Sequence, residues 1–577
     1  MKKSLLALLL ALAMMVMLFA GCGNAATSAA EAVASAAEGA AEEVAEAAGE
    51  AAEAVEGAVE EAAAPAEAEA SAAEEPAETE AVEPAFEIEY PLVDEPTTLT
   101  YWQAWPPFLN EISEPKDAAM FAKMEEITGI KLDIIAVSTE NDANDFMLRC
   151  ASGDLTDMIQ KGADHYTGGG VKAIEDEILI DLLPLMEENM PAYWALINSD
   201  PNIYKNVVND EGQVPSLIGM YKDYYYTDQG MWIRSDILKE VGKEIPTTVA
   251  ELDDVLAAFK DHGLADGLVV LSEGNCDLLS KAYGADNRLI DGKVDYRGLS
   301  DNYKDMLKKM HEYYDLGYIN KDFVTYTYSG TKPPQEVVLS DNAGMFNEDV
   351  ASIAGYYLMS TTPGFELAPM GQIRLDENAR LDNGINGVKA ADRYSLSVST
   401  QAEDPELCLQ YMNYLFTDDG FVLANYGIEG ETYTVNAAGE YEFTDLILNN
   451  PQGFDWQLCQ SLYINPGFPC LNDLKAQELT YNDAQKAAVD TWVSAYDSTD
   501  ETMPNTQWLS YTVDESYRIA DLQADLETVQ DEFRLQAITG QIDIDAEWDA
   551  YVEKCKSLGF DELMEIDQAA VDRYLAK

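Results

Sequence analysis

A chain of 577 residues is longer than one hydrophobic core usually supports, so more than one lobe is expected. Its net charge of −71, from 106 acidic and 35 basic residues, repels phosphate backbones and anionic lipid surfaces, which argues against nucleic-acid binding. Seven Cys without a CxxC pair and three isolated His give a zinc enzyme almost no support, and no DxDxDG loop supports a structural Ca2+, so no cofactor is expected.

The chain begins with Lys2 and Lys3, an apolar run over residues 5–20, then Gly21-Cys22-Gly23. Two cations ahead of an apolar segment shorter than the roughly 20 residues of a membrane span make an export signal. Its end resembles the lipobox of bacterial lipoproteins, with Phe19 where Leu is usual. That resemblance implies a signal peptide over residues 1–21, a mature chain starting at Cys22 and acyl chains holding it to the outer face of the cell membrane. The alternative is an ordinary secretory signal with an incidental Cys. Residues 22–90 are rich in Ala and Glu, with Glu the only charged type after Asn24, and lack the side chains that build a core. They are expected to form a disordered or transiently helical stalk.

From Tyr90 the pattern changes. Residues 98–102 and 131–137 read as strands around a helix over 117–127 that Thr128-Gly129 closes, a βαβ start. Residues 157–160 read as a further strand, 231–234 as another and 235–241 as a short helix. Thr247 and Thr248 with Glu251 form a capping box before the apolar-periodic stretch 252–259. This alternation predicts α/β lobes around mostly parallel sheets. Cys459 and Cys470 are the only Cys close in sequence, and no pairing is assigned to them.

Five segments then resemble one family. They are Thr128-Gly129-Ile130 with Ser152-Gly153-Asp154-Leu155 to Ile159, where Thr156 replaces a usual Pro; Trp232-Ile233-Arg234 to Gly242 and Pro246-Thr247-Thr248; Gly344-Met345-Phe346; Asn425-Tyr426-Gly427-Ile428-Glu429-Gly430; and Trp548 with Tyr551 to Leu558-Gly559. In this order they resemble extracellular solute-binding proteins of ABC importers, in the LipO-like lipoprotein branch related to maltose-binding protein. The resemblance implies a two-lobed periplasmic-binding-protein-like (type II) α/β fold with a hinge and an interlobe cleft. It places residues 91–228 plus about 396–500 in the first lobe and 229–395 plus about 501–577 in the second. Crossings are expected near 225–232, 395–400 and 502–508. It further implies a monomer that does no covalent chemistry, closes on a carbohydrate, and passes it to a membrane permease.

Sugars present apolar faces to aromatic rings and hydroxyls to carboxylates and amides. Trp102 and Trp105, at the end of the first strand, are candidate stacking residues, or else core. Asp164 matches a ligand-contacting Asp of the maltose-binding protein, or forms a turn in a Gly-rich loop, and His165 follows it. Tyr224 and Tyr225 precede the first crossing. Asn347, Glu348 and Asp349 stand where related proteins present cleft residues, or cap the next helix. Asn505 and Trp508 resemble the family's last aromatic contact region. Two other functions remain open, oligopeptide binding, which matches in length, and a sensor reporting to a membrane receptor; a glycosidase is not supported, since no carboxylate pair can be picked out among so many acids and no nucleophile elbow or phosphate loop occurs.

Overall fold

The computed structural model describes residues 86–105, 114–225, 229–264, 269–271, 278–285, 287–290, 292–325, 335–339, 343–379, 388–454, 456–497 and 509–577. All fall within the unit Thr79–Lys577. The signal peptide, Cys22, nearly all of the stalk, Asn505 and Trp508 lie outside the described residues.

The strands are β1 (Thr97–Trp105), β2 (Ile130–Ser138), β3 (Met158–Gln160), β4 (Leu217–Tyr225), β5 (Gln229–Arg234), β6 (Val269–Val270), β7 (Arg288–Ile290), β8 (Lys293–Asp295), β9 (Met345–Asp349), β10 (Leu367–Pro369), β11 (Val388–Val398), β12 (Tyr433–Val435), β13 (Tyr441–Phe443) and β14 (Leu471–Asn472). One sheet runs β14-β4-β11-β3-β1-β2, a second β10-β5-β9-β6, and β7-β8 and β12-β13 are hairpins. Each large sheet carries its own core, which makes the two-lobed α/β fold expected from the sequence.

The βαβ start forms because both periodicities agree. The helix Ala119–Thr128 buries Met120, Phe121, Met124 and Thr128 on one stripe, and Gly129 stops it in the left-handed region at φ 76°. A side chain there would be strained and would press on Val93, 3.0 Å from its Cγ2. β1 and β2 then pair in parallel from Thr97↔Ile130 to Trp105↔Ser138. In the second lobe the capping box forms as expected: Thr248 Oγ1 accepts from Glu251 N at 3.2 Å, and Glu251 Oε2 accepts from Thr248 N at 3.2 Å. The helix it starts, Val249–His262, buries Leu252, Val255, Leu256 and Phe259.

Two later segments depart from the expected partition. The helix Asp483–Asp497 lies in the stretch assigned to the first lobe, yet its Ala488 and Trp492 pack with Trp232 and Phe346 of the second sheet. The indole of Trp492 meets Trp232 edge to face at 5.5 Å and donates from Nε1 to Met370 O at 3.1 Å. It lies so close over Gly230 that any Cβ there would collide with it. The second departure is the final helix, Phe560–Ala576, which enters both cores: Phe560 and Leu563 the second, Ala570, Val571 and Tyr574 the first. Nor does β11 divide at 395–400; it pairs with β3 as far as Val398 and stays in the first sheet. The five described Cys, including Cys459 and Cys470, are free thiols.

Arg573 fastens the last helix. Its Nε donates to Asp210 Oδ2 at 2.7 Å, and its other nitrogens donate to Glu515 Oε2 at 2.6 Å, Glu515 Oε1 at 3.0 Å and Ser510 O at 3.0 Å. Burial alone would raise the Glu515 pKa, but the Arg573 guanidinium and the Thr512 amide together hold it below the usual carboxylate range. Arg573→Ala is expected to lower unfolding stability by about 1.5–3 kcal/mol at neutral pH, measured by denaturant titration. Because the folded pKa of Glu515 is depressed, its contribution is complete above the ordinary carboxylate range and fades as pH falls through the folded value. The deficit should therefore shrink in acid; one that is constant from pH 7 to pH 3 would contradict the pairing.

Candidate functional site

β1, β2 and β3 run parallel and end on one edge of the first sheet, where ligands of open α/β sheets sit. β4 also crosses to β5 there, since only residues 226–228 separate them. β9 finishes at the same crossing, with Asp349 opposite Gln229 and Glu348 opposite Gly230. The carboxyl edge of the first sheet and the end of β9 in the second therefore meet at the hinge.

Two buried glutamines shape the edge of the first sheet. Gln103 Nε2 donates to Pro466 O at 2.5 Å, and Gln160 Nε2 donates to Gly467 O at 3.0 Å. Gln160 Oε1 accepts from Ala104 N at 3.0 Å, which ties β3 to β1. The loop they hold is tightened from within, since Asn465 Oδ1 accepts from Gly467 N at 3.0 Å and from Phe468 N at 2.8 Å. Neither glutamine nor this loop was singled out from sequence, although the Asn465-Pro466-Gly467 run is a turn signal that could have found it.

Trp102 and Trp105 are three apart on one strand, so they point to opposite faces and cannot form one platform. Both are 1% exposed. Trp102 packs with Phe146, Ile159 and Ala163, lies edge-on to His165 at 6.0 Å, and donates from Nε1 to Asp145 Oδ2 at 2.8 Å. Trp105 lies on the face shared with Tyr101 and Gln103, and its Nε1 has no hydrogen-bond partner among the described residues.

Asp164 is exposed on the short helix Gly162–His165 and accepts from Ser395 Oγ at 2.7 Å, so it sits at the carboxyl edge of the first sheet. His165 Nε2 is 3.5 Å from Asp142 Oδ2. Burial pushes the His165 pKa below its ordinary value, which Asp142 and Asp164 offset only in part. In the second lobe Glu348 is 3% exposed and turned inward, accepting from Tyr356 OH at 2.6 Å and from Asp349 N at 2.9 Å. Asn347 and Asp349 occupy the opposite, part-exposed face of β9. Tyr224 and Tyr225 close β4 at the crossing, but their side chains lie outside the described residues, as do Asn505 and Trp508. Among the described residues no group of three or more His, Cys, Asp or Glu is placed to hold a metal ion.

No family model matches the chain. It is 24% identical over 536 residues to the fructooligosaccharide ABC transporter substrate-binding protein FusA of Streptococcus pneumoniae serotype 4, covering 86% of this chain and 94% of that one. It is 26% identical over 367 residues to lipoprotein LipO of Bacillus subtilis strain 168, covering 60% and 69%. Among solved structures, the alginate-binding protein AlgQ2 without calcium ion superposes with a TM-score of 0.66 at 21% identity, covering 84% of this chain and all of that one. In sequence the chain is thus similar to an ABC transporter substrate-binding protein, and in fold to a solved alginate-binding protein. No helix among the described residues is long and apolar enough to cross a membrane.

The packing of Trp102 predicts its cost. Trp102→Ala should lower unfolding stability by about 3–5 kcal/mol in a urea titration, the loss expected of a large buried aromatic. A loss below about 1 kcal/mol would contradict the enclosed position.

Proposed function

We propose that this chain captures an oligosaccharide where its two lobes meet and presents the closed, liganded form to an ABC permease, itself doing no covalent chemistry. The observation that carries this reading is the edge itself. At one hinge it gathers Asp164, paired with Ser395, and the part-exposed Asn347 and Asp349, groups that suit sugar hydroxyls. FusA and AlgQ2, proteins of this fold, are named for a fructooligosaccharide and for alginate. Tyr224, Tyr225, Asn505 and Trp508 flank the crossings and complete the proposed contacts, with Trp102, Trp105, His165 and Glu348 supporting them from beneath. Contacts made to both lobes at once favour the closed state, so ligand shifts the population that the permease recognises.

The monomer is held to the outer face of the cell membrane through acyl chains on Cys22, and the stalk keeps the lobes clear of the envelope. Replacing the lipid-bearing residue, Cys22→Ala, should release the protein from the membrane fraction or leave it unprocessed. A processed, membrane-held mutant at wild-type level would rule the anchor out.

Binding is read by thermal unfolding with neutral oligosaccharides, uronate oligosaccharides and oligopeptides. A cognate saccharide at 100 times its dissociation constant should stabilise by about 2.7 kcal/mol. Stabilisation by peptides alone would overturn the carbohydrate assignment.

A further inference from the structure

We propose that Tyr394 is the platform on which a sugar ring stacks at the carboxyl edge of the first sheet, a role that rests on the carbohydrate reading above. β11 runs against β3 with Leu396 opposite Gln160, the last residue of β3, so Tyr394 lies just past the end of that strand. From Ser395 to Val398 the side chains of β11 alternate. Leu396 and Val398 enter the first core, while Ser395 turns to Asp164 and Ser397 to Ser216 on the opposite layer. Between Ala391 and Ser395 the pairing of β11 with β4 shifts register, so Tyr394 stands at this break just beyond the edge, where its side chain is half-buried rather than enclosed.

What backs the ring is glycine. A Cβ built on Gly467 would lie 3.5 Å from Tyr394 Cδ1 and Cε1, so the ring rests close against bare backbone. Gly467 holds φ 108°, a conformation other residues rarely adopt. Its carbonyl is fixed by Gln160 and its amide by Asn465. A ring set on such a support loses little freedom when a ligand covers it, and pre-organisation of this kind favours affinity. Both tryptophans of β1 are 1% exposed and offer no ring face to a ligand, whereas Tyr394 keeps part of its surface open. At the same end of β11, Ser395 holds the exposed Asp164, a carboxylate that sugar hydroxyls can reach.

The test is calorimetric titration of wild type, Tyr394→Phe, Tyr394→Leu and Tyr394→Ala with kestose, maltotriose and trigalacturonate, with melting temperatures recorded in parallel. Tyr394→Phe keeps the ring and should bind the wild type's saccharide within about threefold. Tyr394→Leu keeps apolar bulk without a flat face, and should lose about tenfold or more in affinity at an unchanged melting temperature, as should Tyr394→Ala. If Tyr394→Leu binds like wild type, the platform is overturned while carbohydrate binding stands. If Tyr394→Phe loses as much as Tyr394→Leu, the hydroxyl and not the ring face makes the contact, which also overturns it. If wild type binds none of the three saccharides, the carbohydrate reading falls and the platform with it.

Discussion

Strand β11 is the constraint on which the first lobe depends. It pairs with β3 on one side and β4 on the other, antiparallel to both, so without it the sheet would separate into β2-β1-β3 and β4-β14. All of the second sheet lies between β4 and β11 in the chain. The first lobe can therefore close its sheet only after the chain has left for the second lobe and returned, and the entropy of that long loop must be met before the pairing rewards it. The same strand brings Tyr394 and Ser395 to the carboxyl edge of the first sheet, where the ligand is proposed to bind. One insertion thus serves both the continuity of the sheet and the composition of the site.

Further couplings follow the same logic. Trp492 reaches from a late helix to lie on Gly230, just after the crossing from β4, so the start of β5 is braced by a segment that arrives near the end of the chain. The final helix lends apolar side chains to both cores, and Arg573 ties it to Asp210 and Glu515. The closure proposed above would have to keep or repack these cross-lobe contacts as ligand biases the two lobes.

How much of this was legible in the sequence depended on the range of the forces involved. The β1–helix–β2 unit, the Gly129 stop and the Thr248–Glu251 capping box are local, and each was readable because propensity, periodicity and cap chemistry agree within about a dozen residues. Residues 483–497 pack on the second sheet for the opposite reason: Trp492 is placed by Trp232 and Gly230, distant partners that no local pattern announces. The tryptophans of β1 were visible as aromatic residues at a strand end, and alternation alone would have separated their faces. Tyr394 carried no such signal, since its position depends on β11 pairing with β3 and on a glycine far along the chain. Gln103 and Gln160 likewise look like ordinary strand residues until the loop they hold is in place.

The central claim is that ligand held at the hinge edge draws two rigid lobes together. Leu148 and Leu358, 70% and 87% exposed on helices of the first and second lobes, are positions where spectroscopic labels would disturb little. The most direct measurement is the distance distribution between labels at these two sites, with and without a saccharide shown to bind. The account predicts that the distribution shifts and narrows on saturation, with intermediate concentrations giving a mixture of the two end states. A distribution unchanged at saturation, with saccharide bound, would contradict it.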